Sequence, residues 1–445
     1  MSATLVKNLD YIVTVDENAS VLRNASVLIV DGAVAAVGDV DSHPAAAGAE
    51  VLDGSGKLMM PGMVNLHTHT PMTLLRGLSE DVDLQGFLKK VWAAEGAAMD
   101  PETAFLGAQL GALESLQAGS TTQLDMYFHH VETHKGAMSV GTRHIGGPTF
   151  FDFPGPDKKT WEQRLQLLAE WPEMHKKLGG PQTPLTMCPH GTYTISPEHL
   201  RDLTDVAKSW GSDALMTIHV SENHAENDDV VSRYGKTPTK FLHDVGALDG
   251  SLRLVFGHGV HLDKADRALV AAAKASVAHC PGSNLKLASG ALHWTDWKKD
   301  GIRVGIGTDG CSSSNDLDMF QALRQAALLA RLTLGRADVT PAIDFIRGAT
   351  IEGARALGLG DVIGSIEVGK RADVILIDLE APHLVPVHDV HALIVFAAGR
   401  HDVSEVFVDG ELVLKNRKST RIDHKELLAK SRERGVIAGK AAAEA

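Results

Sequence analysis

Two histidines one residue apart close a short apolar run, Met63-Val64-Asn65-Leu66-His67-Thr68-His69. If the run is a strand, residues two apart share a face, so His67 and His69 offer two imidazoles to one point. Two neutral imidazoles meeting at one point suit a transition metal. The missing ligands must come from other parts of the chain. Several other apolar runs also end in polar residues: Asp125, Cys188-Pro189-His190, His219 with Glu222 beyond it, His258, His279, and Thr308-Asp309. Of these, His219 and Asp309 complete a mononuclear site with His67 and His69. Three imidazoles and a carboxylate suit zinc, and also iron or manganese. Such a site keeps one position for water and lowers that water's pKa towards neutrality. Glu222, three residues past His219, is the candidate to accept and return the proton. His258 is the candidate to hold or polarise the water. No lysine stands at a strand end to serve as a carbamylated bridge, which favours one metal over two.

These residues need a scaffold that brings strand ends together. Between residues 60 and 350, short apolar runs alternate with helical patterns. Eight strands are expected, near 58–66, 119–125, 141–147, 184–189, 214–220, 252–258, 275–280 and 302–308. Helices are expected over 101–117 and 317–334. Eight βα units of this length predict a (β/α)8 TIM-like barrel, whose active site lies at the C-terminal ends of its strands. No glycine-rich dinucleotide fingerprint follows the first strand, which argues against an open doubly wound sheet. Both chain ends read as β, each with an Asp-Gly hairpin signal, Asp31-Gly32 and Asp409-Gly410. The expected organisation is a composite β-sandwich from residues 1–58 and 360–420, a barrel over 59–359, and a charged helical tail over 421–445.

At 445 residues the chain is long enough for one large domain and a smaller one. A formal net charge of -13, with both signs interspersed, argues against nucleic acid or an anionic membrane as partner. No apolar run approaches the roughly 18 residues of a membrane span. Three widely spaced cysteines, Cys188, Cys280 and Cys311, suggest free thiols and a cytoplasmic setting. Cys311 reads as a packed thiol, Asp125 as structural, His279 as support for a ligand or loop, and His129, His130 and His134 as an exposed cluster. Ser312, Ser313 and Ser314 could bond a substrate or form an ordinary loop.

His67-Thr68-His69, His219-x-x-Glu222, His258 and Thr308-Asp309-Gly310 together resemble the amidohydrolase superfamily. The stretches 65–77, 281–290, 315–320 and 364–373 narrow the likeness to the branch holding methylthioadenosine/S-adenosylhomocysteine deaminases and s-triazine hydrolases. The resemblance implies a homo-oligomeric hydrolytic deaminase acting on a small amino-heterocycle such as a purine nucleoside. It implies that Glu222 moves a proton to a ring nitrogen, that Asp309 passes one to departing ammonia, and that His258 holds the attacking oxygen. It also implies substrate contacts for His190 and Glu95, and Arg143 completes the candidate substrate-binding set. Two positions depart from the nucleoside deaminases. Phe87 stands near where a tryptophan is expected, and Gly146-Gly147-Pro148 where an arginine is expected. Pterin, guanine or s-triazine aminohydrolase, or chlorohydrolase, activity is therefore the alternative.

Overall fold

The computed structural model describes residues 2–82, 84–338 and 340–444. Eight barrel positions follow in chain order: Met63–Thr68, Ser120–Asp125, Arg143–Ile145, Thr186–Pro189, Leu215–Val220, Arg253–His258, Ser276–His279 and Arg303–Ile306. Successive strands pair in parallel. The third position is split. Arg143–Ile145 pairs with the second strand, and Thr149–Phe150 pairs with the fourth. Gly146-Gly147-Pro148 causes the break. Proline has no N–H for the ladder, and a Cβ on Gly147 would sit 1.9 Å from the Thr186 carbonyl oxygen.

The seam between the eighth and first strands is bridged largely by one side chain. Asn65 Nδ2 donates to Thr308 Oγ1 at 2.7 Å, and Thr308 N donates to Asn65 Oδ1 at 3.1 Å. The backbone adds Asp309 N to His67 O at 3.0 Å. The histidine pair and Asp309 are thus tied across one joint. Below them Val64, Leu66, Leu124, Ile145, Leu215 and Val255 form a closed apolar layer, the packed interior of a barrel of this type. Pro101–Gln117 and Met319–Leu334 are helices close to the expected spans, each started by an aspartate cap, Asp100 and Asp318.

The terminal strands join in a single nine-stranded sheet rather than two separate ones. Strands from both chain ends nevertheless enclose one apolar cluster, with Val6, Leu9 and Val27 against Val374, Leu376 and Phe407. Both Asp-Gly turns are present, with positive φ at both residues: 48° and 81° at Asp31-Gly32, 53° and 82° at Asp409-Gly410. Lys57–Pro61 belongs to this sheet, paired with Val374–Asp378, so the crossing into the barrel falls at Gly62 rather than at residue 58.

Arg143 does not reach a substrate pocket. As the first residue of its strand it lies at the N-terminal end of the barrel, opposite the rim. Its guanidinium is fully buried and bidentate on Asp373, at 2.9 and 3.0 Å, with a further bond to the Gln182 carbonyl at 2.8 Å. It clamps the terminal sheet to the barrel. Arg143→Ala is expected to cost about 3–5 kcal/mol in denaturant unfolding, because Asp373 is left as an uncompensated buried charge. The KM of the folded fraction should not change.

The C-terminal helix His424–Glu444 turns back over the barrel. Ala438 and Ala442 pack with Phe87, Val91 and Ala94 of the helix Leu84–Ala98. Arg434 pairs with Glu102 at 2.7 Å. The tail therefore holds in place a helix that covers the barrel mouth.

Candidate active site

His67 and His69 leave the end of the first strand, and His219 leaves the fifth. Asp309 follows the eighth. Nε2 of His69 and Nε2 of His219 lie 3.3 Å apart. Asp309 Oδ1 is 3.1 Å from His69 Nε2 and 3.6 Å from His67 Nε2. The other ring nitrogen is already committed in two of the three imidazoles. His69 Nδ1 donates to the Met126 carbonyl at 2.6 Å, and His219 Nδ1 to the His190 carbonyl at 2.7 Å. That fixes the tautomer that leaves each Nε2 as a lone-pair donor. Both nitrogens of His67 are buried without a hydrogen-bond partner among the described residues. A Cβ on Gly257 would come within 3.0 Å of the His67 ring, so glycine makes room for it.

Two facing acceptor nitrogens, an imidazole without partners and a carboxylate oxygen converge on one small volume. This donor set fits a divalent transition cation. Burial lowers His67 to about 4 and His219 well below its usual range, so both are neutral ligands. Burial also opposes a charge on His69, but the hydrogen bond and charge of Asp309 outweigh it and hold a proton there up to about 9. Binding a cation therefore means displacing that proton.

Glu222 and His258 stand beside this set. His258 Nδ1 meets Asn284 Oδ1 at 2.9 Å, which turns Nε2 towards Glu222 Oε2 at 3.8 Å. Ser289 Oγ donates to Glu222 Oε1 at 3.3 Å. Burial raises the Glu222 carboxyl above its usual range. Ser313 Oγ donates to Asp309 Oδ2 at 2.6 Å, leaving Oδ1 for the histidines. Ser221, His258 and Asp309 all have left-handed backbone, with φ of 51°, 68° and 62°. A non-glycine residue there costs on the order of 1–3 kcal/mol, and such strain concentrates at functional sites. Here it turns the chain sharply at three strand ends, so that the side chains fold back over the mouth.

A covered cavity opens above these groups. The helix Leu84–Ala98 roofs it with Phe87, Leu88, Val91, Trp92 and Glu95. Glu95 Oε1 accepts the Tyr127 hydroxyl at 2.7 Å, while the buried Oε2 has no hydrogen-bond partner among the described residues. Burial raises its carboxyl to about 7, against the Tyr127 bond. His190 lines the opposite wall, its ring 4.6 Å from Phe151 and its Nδ1 3.2 Å from Thr194 Oγ1. Burial lowers it to about 3, so it is a neutral ring.

The structure brings His67, His69, His219, Asp309, Glu222, His258, His190 and Glu95 to the barrel mouth, and leaves Arg143 at the other end. Of the serines only Ser313 lines the cavity, and it binds Asp309. His279 is buried, and among the described residues neither of its ring nitrogens has a hydrogen-bond partner. His130 and His134 are buried rather than exposed. His134 bonds His144 at 3.0 Å, and His144 bonds Asp125, which also holds Thr70 N at 3.0 Å. Asp125 is thus structural, as expected: it pins the loop after His69. Cys311 is a packed thiol, and all three cysteines are buried and unpaired. Sequence reasoning missed Trp92, Phe151 and Tyr127 as lining, and Asn284, Ser289 and Glu226 as supports. Trp92 was findable, because it stands three residues before Glu95 on one helix face. Asn284, Ser289 and Glu226 carry no local signal.

A parallel barrel with imidazoles, carboxylates and a covered cavity at its C-terminal rim defines an enzyme of the (β/α)8 class. The chain belongs to the amidohydrolase family, whose family model matches residues 58–413. It is a hydrolase acting on C–N bonds. It is 35% identical over 429 residues to a 5-methylthioadenosine/S-adenosylhomocysteine deaminase of Pelotomaculum thermopropionicum, covering 96% of each chain. It is 38% identical over 419 residues to the protein of that name from Symbiobacterium thermophilum, covering 93% of this chain and 94% of the other. A crystal structure of an adenosine deaminase from Xanthomonas campestris with bound zinc superposes with a TM-score of 0.91 at 33% identity, covering 99% of both chains. No helix among the described residues is long and apolar enough to cross a membrane.

Proposed function

We propose that the chain is a metal-dependent hydrolytic deaminase that replaces the aromatic amino group of a purine nucleoside with oxygen and releases ammonia. The observation that carries the reading is the pairing of Glu222 Oε2 with His258 Nε2 at 3.8 Å, directly beside the converging nitrogens of His69 and His219, at the floor of the covered cavity. A divalent cation, zinc in our reading, held by His67, His69, His219 and Asp309 would supply an acidified water. Glu222, whose carboxyl burial raises above its usual range, takes the first proton of the attacking water and donates it to a ring nitrogen, which makes the amino-bearing carbon electrophilic. His258 holds the incoming oxygen at that carbon through Nε2. Asp309 takes the second proton and returns it to the amino group, which leaves as ammonia. Its Oδ2 is held by Ser313 meanwhile. Glu95 Oε2 accepts from sugar hydroxyls, and His190 donates to the base. The atoms balance as amine plus water going to carbonyl plus ammonia. Buried, unpaired thiols fit a reducing cytoplasm.

Ammonia release by the purified, metal-loaded chain from adenosine, methylthioadenosine and S-adenosylhomocysteine tests the reading. No release from any nucleoside would defeat it. Phe87 in the roof and the Gly146-Gly147-Pro148 break favour the second reading. Turnover of pterins, guanines or s-triazines in place of nucleosides would establish it.

A further inference from the structure

We propose that the substrate of this site carries an uncharged, apolar substituent, and that analogues with an anionic or zwitterionic tail are rejected. The inference deepens the aminohydrolase reading and rests on it. Away from the catalytic floor the cavity wall is Met72, Phe87, Leu88, Trp92, Phe151 and Leu287. Among the described residues no lysine or arginine lines it. Lys89 and Lys90 of the roof helix do not line the cavity, and three further cations on neighbouring segments are committed elsewhere. Lys286 is bound to Glu80 and Asn315, each at 2.9 Å, and Arg164 to Asp157 at 2.6 and 3.1 Å. Arg76 is paired with Glu114. Lys159 lies in a second cavity, across the wall formed by Tyr127, Phe128 and Thr149. A buried carboxylate without a cation or donors is strongly disfavoured, whereas a methylthio group or hydrogen gains from the same wall.

With the full metal-loaded chain, kcat/KM for methylthioadenosine should exceed that for S-adenosylhomocysteine at least about 100-fold. A ratio within tenfold would overturn the inference. Leu88→Arg, which sets a cation in the half-buried roof, should shift the ratio towards S-adenosylhomocysteine at least about tenfold. An unchanged ratio would remove charge as the cause. If no nucleoside is turned over, the nucleoside reading falls separately. Binding of alkyl- against carboxyalkyl-substituted aminotriazines, followed by tryptophan fluorescence, then decides the present inference by the same hundredfold margin.

A different observation points to Glu226 as a positioning residue for Glu222, given the role assigned to Glu222 above. Glu226 is buried in the first turn of His224–Tyr234. Its carboxylate accepts Ser221 N at 2.9 Å and Glu222 N at 2.7 Å. It thereby holds both N–H groups of the left-handed turn that aims Glu222, while Asn223 fixes Glu226 N at 2.8 Å. Glu226→Ala should lower kcat about 100-fold with KM within about twofold and metal content unchanged, and Glu226→Gln should recover part of the loss. A kcat near that of the parent, or a loss matched entirely by lost metal or folded fraction, would overturn the assignment.

Discussion

Glu222→Gln is expected to bind substrate and metal as the parent does and to lose about 10³–10⁴-fold in kcat. The substitution is isosteric with the protonated acid. The amide can still meet Ser289, which lies 3.3 Å from Glu222 Oε1 in the parent. What it cannot do is surrender a proton to a ring nitrogen and take one back. The loss should therefore fall on kcat, with KM and metal content close to the parent's. Stability gives a second readout. Burial raises the Glu222 carboxyl above the usual carboxylate range. A group raised on folding contributes its full stabilisation below the unfolded pKa, and loses it as pH rises through the folded pKa. The variant should thus be at least as stable as the parent at pH 8, with the comparison moving in the parent's favour towards pH 4. Thermal melts across that range measure it. Parent-like turnover by the variant would remove Glu222 as the proton carrier.

His219→Ala is expected to abolish both metal retention and turnover. Its Nε2 is one of the two facing nitrogens 3.3 Å apart, and its Nδ1 bond to the His190 carbonyl anchors the ring that supplies it. Removing one of four donors should bring metal, measured by elemental analysis, from about one per chain to below about 0.1. The rate should fall by at least about 10⁴-fold. Chelation of the parent should have the same kinetic effect and lower its melting temperature. A ligand present at about 100 times its Kd contributes about 2.7 kcal/mol to the folded state. Readded metal should restore the chelated parent but not the variant. Stoichiometric metal in His219→Ala would place the binding site elsewhere.

Much of this site could be read in one dimension because a parallel barrel converts chain order into geometry. Every strand ends at the same rim, so polar residues that close apolar runs become neighbours whatever their separation in sequence. His67, His69, His219, His258 and Asp309 were legible for that reason. The same rule misassigned Arg143, since a residue at the start of a very short strand is hard to tell from one at its end. Only the buried Asp373 partner, 230 residues away, reveals its role. His130 and His134 were misread for a related reason. A helix with mixed polarity looks exposed until Trp171 and His144 are packed against it.

The amino-acid sequence by itself determined the strand and helix periods, the two Asp-Gly turns, the barrel and the chemistry of the donors. These depend on residue types and near spacing, through backbone sterics and hydrophobic periodicity. The tertiary structure decided which nitrogen of each histidine is free, because the competing acceptors, the Met126 and His190 carbonyls, come from other strands. It also decided that one buried oxygen of Glu95 has no hydrogen-bond partner among the described residues, and that the mouth is apolar because Phe87, Trp92, Phe151 and Leu287 meet there. Contacts of this kind join segments far apart in the chain. Their energies depend on burial and direction, which no local pattern encodes.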